Sequence, residues 1–248
     1  MFHRTFTRAA WLASLGALIA SRALAKSVPT GLTGDQMQHL GAVMWQKWQT
    51  ERGIGQTPQI LRVERYLQSI CDKLASHLPH AMQFHAHLDC DPAFKSAVAM
   101  PGGQVVVGVG ILALVDSEDA LAMVISHEMA HIEDGDIDED LAQIEATQHI
   151  APSRLAGLSV DTIMKDHTNE QELAADRNGL IFTVAAGYSP FAAIRLLELF
   201  QYMARGKTSR PGALTLDRRI AQLRDLIASN HWDHLKDLIR PLNLPEPA

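Results

Sequence analysis

The sequence predicts an α+β fold, a mainly helical domain with one small β-sheet beside a central helix. Three observations carry this. Apolar residues recur at helical spacing through most of the chain. Strand-like alternation is confined to residues 82–88 and 97–107. Between the second of these and the C-terminal helices, the run Ala120 to Ile125 is apolar on every side and marks a buried helix. That helix carries His127-Glu128-Met129-Ala130-His131.

Taken in order, the chain opens with a targeting pattern. Arg4 and Arg8 precede the twelve-residue apolar run Ala9 to Ala20, and Ala23-Leu24-Ala25 is a small-x-small cleavage site. Residues 1–25 are therefore expected to be a cleaved signal peptide. Residues 26–248 form one domain, large enough for a sizeable core. An uncleaved inner-membrane anchor is the alternative. No cysteine follows the cleavage site, so a lipoprotein anchor is not supported. The segment holds three arginines and no acid. Its removal takes 22 basic against 28 acidic residues to 19 against 28, so net charge goes from −6 to −9. So acidic a domain argues against nucleic acid as a partner.

Gly34 to Gln49 reads as a helix with Met37, Leu40, Met44 and Trp45 on one side. Pro58 to Leu78 reads as a second, closed by Pro79-His80. Met82, Phe84, Ala86 and Leu88 then alternate with Gln83, His85 and His87, the pattern of a half-buried strand. His85 and His87 share its polar face, read as solvated, with a second metal site as the alternative. Ala97 to Met100 and Val105 to Val107 flank Pro101-Gly102-Gly103, a hairpin with a type II turn. Its outer edge can pair with an extended peptide. Asp116 or Ser117 caps the central helix. After it, the acidic run Glu133 to Asp140 lacks the order of a calcium loop and reads as a solvated turn. Residues 140–166 read as partly helical, broken near Pro152 and Gly157. Thr168-Asn169-Glu170-Gln171 is a capping box and opens another helix, ending near Gly187. Residues 190–204, 216–227 and 231–239 read as further helices, and the Pro-rich end 241–248 as frayed. Cys71 and Cys90 are the two cysteines, and a disulfide and two buried thiols both remain open.

Histidines four apart lie one above the other on a helix face and can bind one zinc ion. Glu128 stands beside them, placed to act as general base. Ala120, Val124, His127 and His131 form one stripe, so the imidazoles continue a core-facing row. A catalytic zinc takes a third protein ligand, and Glu172 in the first turn of the second acidic helix is the candidate. Asp176, one turn on, can accept the other ring N–H of His127 or His131.

With these motifs the chain resembles metallopeptidase family forty-eight, the HtpX-like and Ste-type zinc endopeptidases. Within it, the soluble periplasmic BepA/LoiP-like branch is the most similar. The family carries His-Glu-x-x-His, then Glu-x-x-x-Asp on a second helix, here Glu172 to Asp176. The usual Glu two residues before the Ala-Asp pair is Ala174 here. The stretch Ser96 to Gly103 matches the family's Asn-Ala-Phe-Ala-like segment and Pro-Gly-Gly. The resemblance implies a zincin-like (gluzincin) fold with one zinc per chain. It implies His127, His131 and Glu172 as ligands and Glu128 as base. It also implies unfolded or misassembled envelope proteins as substrates in the periplasm, with room for peripheral membrane association. Relatives place Thr-His-Pro before an Arg-Ile pair; here Ser209-Arg210-Pro211 precedes Arg219-Ile220. Arg210 cannot ligate zinc, but a guanidinium there can donate to a forming oxyanion. The competing expectation is a non-catalytic, chaperone-like binding module with a structural zinc.

Overall fold

The computed structural model describes residues 31–80, 82–164, 166–204 and 215–245. The targeting segment and Arg210 lie outside the described residues.

Two helices lead the fold, α1 (Gly34–Arg52) and α2 (Pro58–Ala75). Thr33 closes a capping box on α1, and Gly53 ends that helix in the left-handed region at φ 63°. Thr57 caps α2 through the Ile60 amide. Strands β1 (His85–Asp89), β2 (Ala97–Met100) and β3 (Gln104–Gly108) follow. Among the described residues they make one sheet in the order β1-β3-β2. β1 runs parallel to β3, with His85 opposite Gln104 and Asp89 opposite Gly108. β2 is antiparallel to β3, with Ala97 opposite Val107, and forms one edge. Every residue of β3 is buried, as befits a central strand covered on both faces.

The β2–β3 connection is a 3₁₀ turn, Pro101–Gly103, with Gly102 at φ 67° and Gly103 at φ 80°. A Cβ on Gly102 would stand 2.5 Å from the Gln38 Cα, and one on Gly103 2.2 Å from the Gln83 oxygen. Only glycine lets this turn reach α1 and the start of β1.

A single turn α3 (Val109–Leu112) leads to the central helix α4 (Glu118–Glu133). Ser117 caps α4 by accepting from the Ala120 amide at 3.2 Å. Leu121, Ile125 and Met129 are fully buried between the sheet and the later helices. Each such side chain contributes about 1.5–3 kcal/mol by burial. Next come α5 (Asp136–Gln148), a 3₁₀ turn at Pro152–Gly157 and the single turn α6 (Val160–Ile163). The helices α7 (Asn169–Ala185), α8 (Phe191–Ala204) and α9 (Leu216–Ser229) complete the helical layer. The α+β, zincin-like class expected from the sequence is the observed one.

Several local expectations are corrected. His87 is not on a solvated face: Trp45 of α1 stacks on it at 4.1 Å, and Gln104 Oε1 lies 2.7 Å from its Nε2. Burial pushes its imidazole down to about 4, against the pull of the Gln104 bond. This ring is packed, so the His85–His87 metal site is dropped. The acidic run is not a solvated turn either. Gly135 reverses the chain at φ 79° and α5 starts at Asp136, which is buried. The 231–239 helix is one 3₁₀ turn, Trp232–Leu235. The C-terminal segment is docked as far as it is described. Asp119, fully buried at the start of α4, accepts from the backbone N–H groups of Ser189 and Arg240 and from the Arg240 guanidinium. A buried carboxylate needs those donors, and they hold the tail while Leu242 and Leu244 pack on the core. Cys71 and Cys90 are free thiols, and burial, with Asp72 adding to it, pushes Cys71 up to about 12. Among the described residues no helix is long and apolar enough to cross a membrane.

Candidate metal centre

The centre forms where α7 crosses α4 at close range. Small residues permit the approach. A Cβ on Gly179 would lie 3.0 Å from the His127 nitrogen. Ser126 Oγ donates to the Gly179 carbonyl at 3.0 Å and sits 2.6 Å from Thr183 Oγ1. Ala130 and Ala175 are fully buried. The stripe Ala175, Gly179, Thr183, spaced by four, is the sequence signal for this crossing. The capping box at Thr168 then sets the start of α7, which puts Glu172 in its first turn and Asp176 one turn later.

The structure brings His127, His131 and Glu172 together. Their Nε2 atoms are 3.2 Å apart, and each lies 3.6 Å from a different oxygen of Glu172. Tetrahedral coordination with bonds of about 2.0–2.1 Å places donor atoms about 3.4 Å apart. The three observed separations bracket that value. Two imidazole nitrogens aimed at each other and at a carboxylate are a poor arrangement on their own. A cation between them satisfies all three, so the residues present fit a divalent metal such as zinc.

The opposite ring nitrogens face carboxylates. His131 Nδ1 lies 2.8 Å from Asp136 Oδ2. His127 Nδ1 lies 3.2 Å from Asp176 Oδ1, at ion-pair distance but off the line of a full hydrogen bond. These partners favour the proton on Nδ1, the tautomer in which each Nε2 could ligate a metal. Asp176 is therefore beside His127, and the partner of His131 is Asp136, which sequence reasoning had placed in a solvated turn. Periodicity could not find it, because the left-handed Gly135 turn brings Asp136 back against the helix it follows.

Arg219 on α9 is a second residue that sequence reasoning left without a role. Its Nε and one terminal nitrogen reach the two Asp176 oxygens at 2.6 and 2.7 Å, and the other terminal nitrogen is 3.1 Å from Glu172 Oε2. Burial alone would push both carboxyls up. The bonds and charges of His131, His127 and Arg219 hold Glu172 down at about 2. Those of His127 and Arg219 hold Asp176 down at about 2 as well. Against the effect of burial, Asp136, Glu172 and Glu128 hold His131 up at about 10. The site is thus an anionic pocket that draws positive charge toward the Nε2 atoms.

A third unanticipated residue is His167, whose ring stacks on His131 at 3.8 Å and 16°. Burial and the neighbouring His131 push it down to about 4.

The centre opens into a cleft of about 690 Å³. Glu128 lines it together with the ligand triad, Asp176 and Arg219. Residues 95–99, running into edge strand β2, form one wall. Met164, Asp166 and His167 line it from the segment before α7. Apolar side chains of α4 and α8, among them Met123, Leu197 and Phe200, complete the lining.

Comparison with known proteins agrees with this geometry. Over 151 residues the chain is 30% identical to the mitochondrial metalloendopeptidase OMA1 of Schizosaccharomyces pombe, covering 57% of this chain and 44% of that protein. The chain thus spans less than half the length of this curated relative. Residues 61–159 match Peptidase family M48. The stretch from α2 to the end of the 3₁₀ turn before α6 is thus similar to Peptidase family M48, with His127, Glu128 and His131 inside the match and Glu172, Asp176 and Arg219 beyond it.

Proposed function

We propose that the protein is a zinc-dependent endopeptidase that hydrolyses peptide bonds of unfolded or misassembled cell-envelope proteins. The observation that carries this is the convergence of His127 Nε2, His131 Nε2 and Glu172 within 3.6 Å, in a cleft that Glu128 lines. The family match and the endopeptidase named in the relative support the same reaction class.

His127, His131 and Glu172 hold the zinc. When bound, it supplies a Lewis acid that polarises a carbonyl and makes water acidic. Glu128 takes the proton of the attacking water and passes it to the leaving amine. Asp176 and Asp136 keep the two imidazoles in the ligating tautomer. Arg219 holds Glu172 and Asp176 in place through one rigid fork. Among the described residues β2 is an edge strand and bounds the cleft, so an extended substrate backbone can add to the sheet there. Backbone pairing asks little of sequence and suits unfolded chains. The pattern of residues 1–25 supports export to the periplasm, with a mature start at Lys26.

The test is digestion of casein by the purified protein, with and without a chelator, beside Glu128→Gln. Chelator-sensitive cleavage that the variant lacks is expected. Casein that is bound but never cut, by wild type loaded with zinc, would overturn the reading in favour of a binding module.

A further inference from the structure

We infer that the apolar recess between Val124 of α4 and Ala193, Leu197 and Phe200 of α8 is the subsite that sets substrate choice, taking one large aliphatic or aromatic side chain next to the bond to be cut. This rests on the endopeptidase reading above. Val124 lies three residues before His127, so it shares that face of α4 on the N-terminal side. Met123 stands beside it and also lines the cleft. On α8, Ala193, Leu197 and Phe200 follow one another by four and three residues, which puts them on one helical face, and all three line the cleft.

The chemistry of this wall selects its occupant. None of these side chains carries an N–H, an O–H or an oxygen. Met123, Ala193 and Leu197 are buried, whereas Val124 and Phe200 stay half-buried. Phe200 does so although it packs against both apolar clusters to which α4 contributes. Apolar surface left open in a cleft is covered favourably by an apolar ligand group. A charged or amide side chain entering there would lose water and gain no partner. Ala193 is the smallest residue of the wall, and a cleft of about 690 Å³ has room for a side chain beside the substrate backbone.

Position fixes which substrate residue is read. Side chains three apart on a helix are about 5–6 Å from each other, so the recess begins next to His127. A residue flanking the cut bond reaches it. Successive side chains of an extended peptide point to opposite sides, so only one of the two flanking residues enters. The other faces the far end of the centre, where His167 stacks on His131 and Asp166 and Asn169 line the cleft. Apolar selection is therefore confined to one side of the cut bond, and polar residues are tolerated on the other. Large apolar side chains are mostly buried in folded proteins and become accessible when a chain unfolds, so this subsite favours unfolded substrates by side chain as well as by backbone.

The experiment is calorimetric titration of the zinc-loaded full chain with peptide hydroxamates that carry Leu or Ala on one side of the metal-binding hydroxamate or on the other. On one side Leu should bind about tenfold or more tighter than Ala, and on the other the two should bind alike. Val124→Phe fills the recess and should erase the Leu preference with zinc content unchanged. Phe200→Ala widens it and should move the preference from Leu to Phe, and it covers the case in which Val124→Phe fails to fold. Mass spectrometry of wild-type casein digests should place large apolar residues on the same side of the cut bonds. Equal binding of Leu and Ala on both sides would overturn the proposal. So would a Leu preference that survives both variants unchanged. The primary readout is binding, so the two readings fail separately. A one-sided Leu preference in a protein that cuts no casein overturns the endopeptidase reading and keeps the recess. Casein cleavage without a Leu preference overturns the recess and keeps the endopeptidase.

Discussion

Replacing Asp176 by Asn separates two roles that one carboxylate combines. Asp176 is 1% exposed and accepts both arms of the Arg219 fork while facing His127 Nδ1. An amide keeps the shape, but it has one acceptor oxygen where two are needed, and its NH₂ would confront a guanidinium. The carboxyl held at about 2 instead of 3.8 corresponds to a preference for the charged form on the order of 2 kcal/mol. Removing one partner of a buried pair costs on the order of 3–5 kcal/mol when the other is left unpaired. Arg219 keeps Glu172 at 3.1 Å, so the lower end, about 3 kcal/mol, is expected. That loss should appear in urea unfolding of the chelator-treated protein, where metal contributes nothing. The sign with pH follows: this stability is present above pH 3.8 and is lost as pH falls through about 2. Separately, zinc affinity should fall about 10–100-fold, because His127 loses the acceptor that favours its ligating tautomer. Asp176→Asn combined with Arg219→Met removes the stranded charge. The double variant should recover most of the lost stability and none of the lost affinity. Stability that stays low in the double variant would refute the clamp. Wild-type zinc affinity in the single variant would refute the support of His127.

Three further outcomes are expected. Glu128→Gln should retain zinc in equilibrium dialysis while casein cleavage falls by roughly 10²–10⁴, whereas Glu172→Ala should lose the metal itself. His87 titrates at about 4 in the fold against 6.5 in the open chain, so it adds stability above pH 6.5 that is lost as pH falls toward 4. His87→Phe, which keeps the stack on Trp45, should shrink the stability difference between pH 7 and pH 4.5 by about 2–3 kcal/mol in urea titrations. Truncation before Arg240 strips Asp119 of two of its donors, so the unfolding free energy should drop by about 2 kcal/mol or more, and an unchanged urea midpoint would show that the tail is dispensable.

What was legible in the sequence is what local rules govern. The histidine pair, Glu172 and Asp176 follow from helical spacing and a capping box, because both helices are regular and both begin at a recognisable cap. The close crossing of α4 and α7 was not read from the sequence, although Ala175, Gly179 and Thr183, small residues four apart, carry a signal for it. Asp136, Arg219 and His167 were not legible, and each for a stated physical reason. Asp136 lies one residue after a left-handed glycine, and its direction depends on a backbone reversal that no periodicity encodes. Arg219 sits 43 residues after Asp176, on a helix whose docking is decided by the apolar cluster of Leu180, Leu223 and Ile227. His167 lies between regular elements, and its stacking on His131 is a contact across 36 residues that no local pattern encodes. The same limit explains the misread His87. Alternation assigned it correctly to the face opposite Ala86, but only the packing of α1 shows that this face is covered too. Local pattern thus locates the atoms that could hold a metal. The carboxylates and the guanidinium that hold those atoms come from long-range packing. They are the groups whose replacement should change affinity and stability without touching the proposed chemistry.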